Sequence, residues 1–379
     1  MVPFRRTLTD TERLDWLRLA RTENVGPVTF FRLLERFRDI GPVLDTLPEM
    51  ARRGGAGKGS APQIPDRAAI EREYKALAAW GGQMVAACEP GYPELLAAIP
   101  DPPPLLSVAG RTDLLHRTAI GVVGARNASL NGQRFAEKLA AELGEAGITV
   151  VSGLARGIDT AAHRGALESG TVGVVAGGVD VVYPPENRKL YDQMREKGAV
   201  VAELAFGAEP QARHFPRRNR VISGLSRGIV VVEAALHSGS LITARLATEQ
   251  GRDVFAVPGS PLDARCRGTN DLIRQGATLV EIARDVLDAL GPGLAQPDRR
   301  NPGVPEDADT PSLFSDDDTD RARQDILQLL GPSPVSVDGI VRASGMAPGL
   351  VSSILLELEL AGRLQRMAGS MVAIISPPP

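Results

Sequence analysis

Cysteine is scarce in this 379-residue chain, long apolar runs are absent, and neither sign of charge dominates. The two cysteines, Cys88 and Cys266, lie far apart and outside any metal-ligand spacing. That argues against a disulfide framework and predicts two free thiols in a reducing compartment. No stretch is apolar for long enough to cross a bilayer, and the opening MVPFRRTLTD lacks the apolar core of a signal peptide, so a cytoplasmic protein without membrane insertion is expected. A formal net charge of -3 offers no global attraction to nucleic acid or to an anionic membrane. Any polyanion would have to meet a local basic patch. No metal, cofactor or catalytic centre is expected.

What the chain does have is a regular alternation of β-branched apolar runs and helical segments from about residue 86 to 290. Strands are predicted near 118–125, 148–153, 171–177, 199–204, 228–234 and 253–257, with a short one near 278–280. Continuous apolar strands separated by helices indicate a doubly wound, mostly parallel α/β sheet. In such sheets ligands bind beyond the carboxyl ends of the strands, so the turns there become the candidate site.

The first turn reads Gly121-Val-Val-Gly124-Ala-Arg126-Asn127-Ala-Ser129. It departs from a dinucleotide fingerprint, because G-x-x-G replaces G-x-G-x-x-G and the second strand ends VVSG where a ribose-binding carboxylate would stand. An anion seat remains, built from helix-start N–H groups, the Ser129 hydroxyl as a candidate cap and the Arg126 guanidinium; a tight turn with a solvated arginine is the plainer alternative. The second turn, Ser152-Gly153-Leu-Ala-Arg156-Gly157-Ile-Asp159, repeats the design, with Asp159 as a candidate cap and His163 one turn on, in a structural or phosphate-contacting role.

A third cluster, Arg213 to Arg220, holds Phe215, Arg217, Arg218, Asn219 and Arg220. Arginines interrupted by an aromatic suit a groove that tracks a nucleic-acid backbone and stacks its bases, against the alternative of a solvated basic helix face. A fourth turn offers Ser238, Gly239 and Ser240 at another helix start. Several anion-receptive turns on one rim fit a polyanion better than a mononucleotide.

The flanks divide into an N-terminal helical domain over 1–85, with a Gly-rich loop near 51–66, a Pro- and Asp-rich linker over 291–320, and a final domain over 321–379. The N-terminal helices meet at Asn24-Val25-Gly26-Pro27, which resembles half of a helix-hairpin-helix turn. The last segment shows three helices and a hairpin, the pattern of a winged helix. Its third helix carries Glu357 and Glu359 and few basic residues, which leaves packing, protein contact and DNA contact all open.

Taken together, GARNAS, SGLARGIDTAAH, FPRRNRVISGLS, EAALHSGSLITA, PGS and GTNDLIRQGA resemble the DNA-processing protein A (DprA/Smf) family over about residues 88–290. The resemblance implies an extended Rossmann-like domain that binds single-stranded DNA without sequence preference, loading of the RecA recombinase in natural transformation, and a homodimer formed through that domain. It makes Gly124, Arg126, Ser129, Ser152, Gly153, Phe215, Arg218 and Asn219 candidate DNA contacts. Many relatives begin the first turn Gly-Ser-Arg, whereas this chain has Gly-Ala-Arg and lacks that hydroxyl. The competing classes are a nucleotide-hydrolysing enzyme of the lysine-decarboxylase-like Rossmann families, whose PGGxGTxxE turn HSGSLITARLATE does not match, and a pure adaptor.

Overall fold

The computed structural model describes residues 6–37, 39–55, 62–291, 316–367 and 370–375. Most of the linker expected at 291–320 and the middle of the Gly-rich loop expected at 51–66 lie outside them. In chain order the first helices are α1 (Asp10–Ala20), α2 (Pro27–Phe37), α3 (Ile40–Arg53) and α4 (Arg67–Ala79). Next come β1 (Gly82–Ala86), α5 (Glu94–Ala97), β2 (Leu105–Gly110), β3 (Ala119–Val123), α6 (Leu130–Glu145), β4 (Thr149–Ser152), α7 (Ile158–Gly165), β5 (Thr171–Val174) and α8 (Arg188–Lys197). β6 (Ala199–Ala202), α9 (His214–Leu225), β7 (Gly228–Val231), α10 (Gly239–Glu249), β8 (Asp253–Ala256), α11 (Arg267–Arg274), β9 (Thr278–Leu279) and α12 (Ala283–Leu290) follow. The last elements are α13 (Asp316–Leu329), β10 (Val335–Ser336), α14 (Val337–Ser344), α15 (Pro348–Leu360), β11 (Leu364–Met367) and β12 (Met371–Ile374).

Two compact units result. Of the described residues, the first joins those of Met1–Trp16 and Arg67–Asp298, and the second those of Leu17–Asp66 and Arg299–Pro379. Within the span expected as the N-terminal helical domain, Leu17–Asp66 groups with the second unit. Arg13 in α1 pairs with Glu89 and reaches the Tyr74 hydroxyl of α4, and α4 packs on β1, so these pieces go with the sheet.

The first unit is built on a nine-stranded sheet in the order β1-β2-β6-β5-β4-β3-β7-β8-β9. From β6 to β9 every neighbouring pair is parallel, as the alternation predicts. β1 and β2 were not expected. They extend the sheet by antiparallel pairing beyond β6 and carry it back to Gly82, ahead of the boundary expected at 86. α6, α7 and α12 cover one face, where Leu139, Leu143 and Ile158 close over Ile120, Val150, Val230 and Phe255. The sequence runs β3 to β6 in one direction and then returns past β3 to β7, so the switch point lies between β3 and β7.

In the second unit α13, α14 and α15 with the β10-β12-β11 sheet form the winged helix. On α15, Val351, Ile354, Leu355 and Leu358 recur at helical spacing and enter its core with Ile326, Ile340 and Val372. Leu356 and Leu360 lie off that stripe, yet both are buried. The reason is α3, which packs along α15 so closely that a Cβ at Gly54 would strike the Glu357 carbonyl. Arg36 donates to the Ser353 hydroxyl at 2.9 Å and Asn24 to the Leu360 carbonyl at 3.4 Å, extending the seam along the helix. Glu357 and Glu359 are taken up by Arg323 at 2.7 Å and Arg366 at 3.0 Å. A helix-turn-helix presents this helix to a DNA groove; here its outer face is already covered by the chain.

Candidate nucleic-acid interface

The switch point between β3 and β7 is occupied from within. Glu233, in the turn after β7, accepts from the Ser129 backbone N–H at 2.9 Å and from the Ser129 hydroxyl at 2.5 Å. Its carboxylate also stands where a Cβ of Gly132 would be, 2.6 Å away. Ser129 does cap α6, accepting from the Gly132 N–H at 2.9 Å. The expected anion seat at this helix start is thus filled by a carboxylate of the chain itself, and Ser129 serves that carboxylate. Glu233 lies 104 residues away, and an acidic residue at the end of a buried strand was the only sequence signal for it.

The open cleft lies to one side, over the turns after β3, β4 and β5. Arg126, Asn127, Gly153, Arg156, Val175 to Gly177, Tyr183, Phe215 and Arg218 are among the residues that line its volume of about 320 Å³. Gly153 forms the floor because the Arg218 guanidinium presses against it, in the space a Cβ would need. Arg218 is 6% exposed, donates from Nη1 to the Val174 carbonyl at 3.1 Å, and leaves Nε without a partner. Burial pulls its pKa down to about 10, against the attraction of Asp159 and with the repulsion of Arg126. It therefore keeps its charge at neutral pH, directly beneath the cleft. Arg126 is exposed, and its guanidinium carbon sits 4.9 Å from the centroid of Phe215. Tyr183 meets the same ring at 5.7 Å between centroids. No expectation had singled out Tyr183, whose signal was an aromatic within the Pro-rich loop VVYPPEN just past a strand end.

Other candidates sit elsewhere. Ser152 is fully buried and donates to the Val122 carbonyl at 2.6 Å, so it ties β4 to β3 beneath the surface. His163 is likewise fully buried, with Nδ1 2.8 Å from the Thr171 hydroxyl and Nε2 3.4 Å from the Leu154 N–H. Thr171 spends its own proton on the Val150 carbonyl, which puts the imidazole proton on Nδ1. The expected surface role of Ser152 is thereby corrected to a structural one, and of the two roles open for His163 the burial leaves the structural one. Asp159 does not cap α7 at its N-cap, which is Gly157; it accepts from the Gly153 and Ala155 N–H groups and shapes the turn.

The basic cluster is spread by the helix that forms it. On α9 successive side chains diverge, so Arg218 turns inward to the cleft while Arg217 stays exposed, 3.9 Å from Glu203. Arg220 is buried on Glu203 at 2.5 Å and the Asp101 carbonyl, which corrects its expected place in the groove to a structural ion pair. Asn219 donates to the Gly239 carbonyl at 3.4 Å, linking α9 to the start of α10, where the Ser238 hydroxyl accepts from the Ser240 N–H. Gly124 lies in the first turn with the Glu233 carbonyl 3.0 Å from where its Cβ would be. On the rim, Arg156 is held by Glu186 at 2.6 Å.

His163 carries a measurable consequence. Desolvation, with Arg218 nearby, lowers its pKa to about 3, below the ordinary 6.5. As pH falls below 6.5 the unfolded chain takes the proton first, so the folded state loses stability from there down toward pH 3. Urea unfolding of the wild type is expected to lose more between pH 7 and pH 5 than that of His163→Gln; equal losses would contradict the buried neutral imidazole.

Residues 83–291 match the family profile described as DNA recombination-mediator protein A. The chain belongs to that family. Two further profiles match outside this segment, a DprA-like N-terminal HHH domain over 10–76 and a DprA winged helix domain over 309–370. Protein Smf of Synechocystis is 33% identical over 399 residues, covering 96% of this chain and 98% of the relative. DNA processing protein DprA of Streptococcus pneumoniae is 48% identical over 198 residues, 52% of this chain and 70% of its own length. The crystal structure of the S. pneumoniae protein aligns with a TM-score of 0.62 at 35% identity, covering 75% of this chain and 98% of that one. A structure of DNA processing protein A from Helicobacter pylori, presented for its single-stranded DNA binding mode, aligns at 0.51 and 27% identity over 55% of this chain and 95% of that one. Among the described residues no helix is long and apolar enough to cross a membrane, and no group of three or more metal-ligating side chains is assembled.

Proposed function

We propose that the cleft binds single-stranded DNA without sequence preference, and that the protein is a non-enzymatic recombination mediator that loads RecA on incoming DNA in natural transformation. The observation that carries this reading is the cleft's makeup. Exposed Arg126 and buried, charged Arg218 flank two adjacent aromatic rings, which supplies phosphate attraction and a base-stacking surface in one place. Asn127, Gly153, Arg156, Phe215 and Arg217 line or adjoin it, with Gly124, Asn219 and the Ser238-Gly239-Ser240 turn as its supports. Glu233 speaks against a nucleotide enzyme, because it takes the helix start that a mononucleotide phosphate would use. The H. pylori relative is described for its single-stranded DNA binding mode, in line with the proposal.

Homodimerisation through the Rossmann-like domain is supported by apolar side chains left bare on it: Leu279 in the edge strand β9, Ile282 just after it, and Leu262, 93% exposed, in the loop after β8. The cytoplasm, where RecA and DNA meet, is the expected compartment.

Fluorescence anisotropy tests the reading. Full-length protein is expected to bind oligothymidine, oligoadenine and mixed single strands with similar affinity, more tightly than duplex, and more weakly as salt rises. A preference for duplex would overturn it. The rim gives a second expectation. Replacing Glu186 by Gln frees Arg156 from its partner and should raise single-strand affinity by roughly two- to five-fold at low salt. Unchanged affinity would remove Arg156 from the site.

A further inference from the structure

A stacking platform needs a ring face open to a base, and the sequence offered Phe215 for that part. Phe215 is half-buried, with the Arg126 and Arg218 guanidinium carbons at 4.9 and 5.9 Å from its centroid and Tyr183 packed against it at a tilt of 56°. Its surroundings are already engaged. Tyr183 is different: it is 49% exposed, the only aromatic among the large exposed apolar side chains of the described residues. It stands in the wall of the cleft with Val181, Pro184 and Pro210, and among the described residues its hydroxyl has no hydrogen-bond partner. A single exposed aromatic needs no explanation on a flat surface. Here it lies in a concave wall, one ring's distance from two cations, and the volume of about 320 Å³ is at the lower end of what a small ligand occupies.

We propose that Tyr183 is the residue on which a DNA base stacks, with Phe215 as the ring that holds it in place and Arg126 as the cation for the adjoining phosphate. The inference rests on the single-stranded DNA reading above. It assigns the base to the open aromatic wall and the phosphate to the guanidinium side, so one nucleotide spans the cleft. Stacking is tolerant of sequence because every base has a π-face, which fits binding without sequence preference.

The test compares wild type, Tyr183→Ala and Tyr183→Phe by anisotropy on a labelled oligothymidine and on an abasic sugar-phosphate strand of equal length. Tyr183→Ala is expected to weaken oligothymidine binding by roughly 5- to 100-fold, the range for losing one stacked base. Tyr183→Phe should bind like the wild type, since only the ring face is used. On the abasic strand all three should be alike. Loss by Tyr183→Ala of equal size on both strands, or no loss on oligothymidine, would overturn the assignment while leaving wild-type binding intact. Failure of the wild type to hold oligothymidine at all would instead overturn the single-stranded DNA reading, and this inference with it. Melting curves should show the half-exposed Tyr183→Ala chain folded as the wild type.

Discussion

Arg218→Ala is expected to abolish single-stranded DNA binding and to destabilise the first unit by about 3–5 kcal/mol. The two effects have one origin. Arg218 is buried between the Val174 carbonyl and the charge of Asp159, and its guanidinium presses on Gly153 at the floor of the cleft. Removing it strands the buried Asp159 carboxylate, opens a void beneath the β4 turn, and takes away the fixed cation nearest the aromatic pair. Lysine should not rescue it, since a point charge cannot reproduce the planar contact with the carbonyl and the Phe215 ring. Urea unfolding with anisotropy reads both effects. A stable variant with wild-type affinity would show that Arg218 neither supports nor charges the cleft.

Gly54→Val is expected to cost about 1–3 kcal/mol in the second unit by forcing α3 and α15 apart. The obstacle is backbone, the Glu357 carbonyl, with the Ala361 Cβ 3.0 Å from the same point, so no side chain can swing aside to make room. Amide hydrogen exchange along α15 should speed up, while binding of oligothymidine at the cleft of the first unit stays as in the wild type. Unchanged exchange would mean that α3 does not hold this helix. The same seam makes a chain ending at Leu290 a poor test of the winged helix alone, because α2 and α3 would lose the surface that α15 gives them.

The parallel strands were readable because each is a short β-branched run bounded by glycine, a pattern fixed by local chemistry. β1 and β2 escaped because a Pro-rich stretch, EPGYPELLAAIPDPPP, breaks their pattern, and their place depends on pairing with β6. Arg126 and Gly153, candidates whose places follow from their own turns, do line the cleft. Those whose roles depend on distant partners were misread. Ser129 looked like a ligand donor until Glu233 arrived from another strand, and consecutive arginines looked like one patch until α9 turned Arg220 toward Asp101 and Glu203. Tyr183 was overlooked for the same reason, since nothing within VVYPPEN announces that Phe215 and Arg126 fold beside it.

Binding of oligothymidine by wild type and Arg126→Ala, measured from low to physiological salt, tests the cleft most directly. Arg126 is exposed, makes no ion pair among the described residues, and lies over Phe215, so its removal should leave the fold intact. If the cleft holds the DNA backbone, the variant binds every sequence more weakly, and the slope of log affinity against log salt becomes shallower by about 0.7, one single-strand phosphate contact. Equal affinity and equal slope in the two proteins would place the DNA elsewhere.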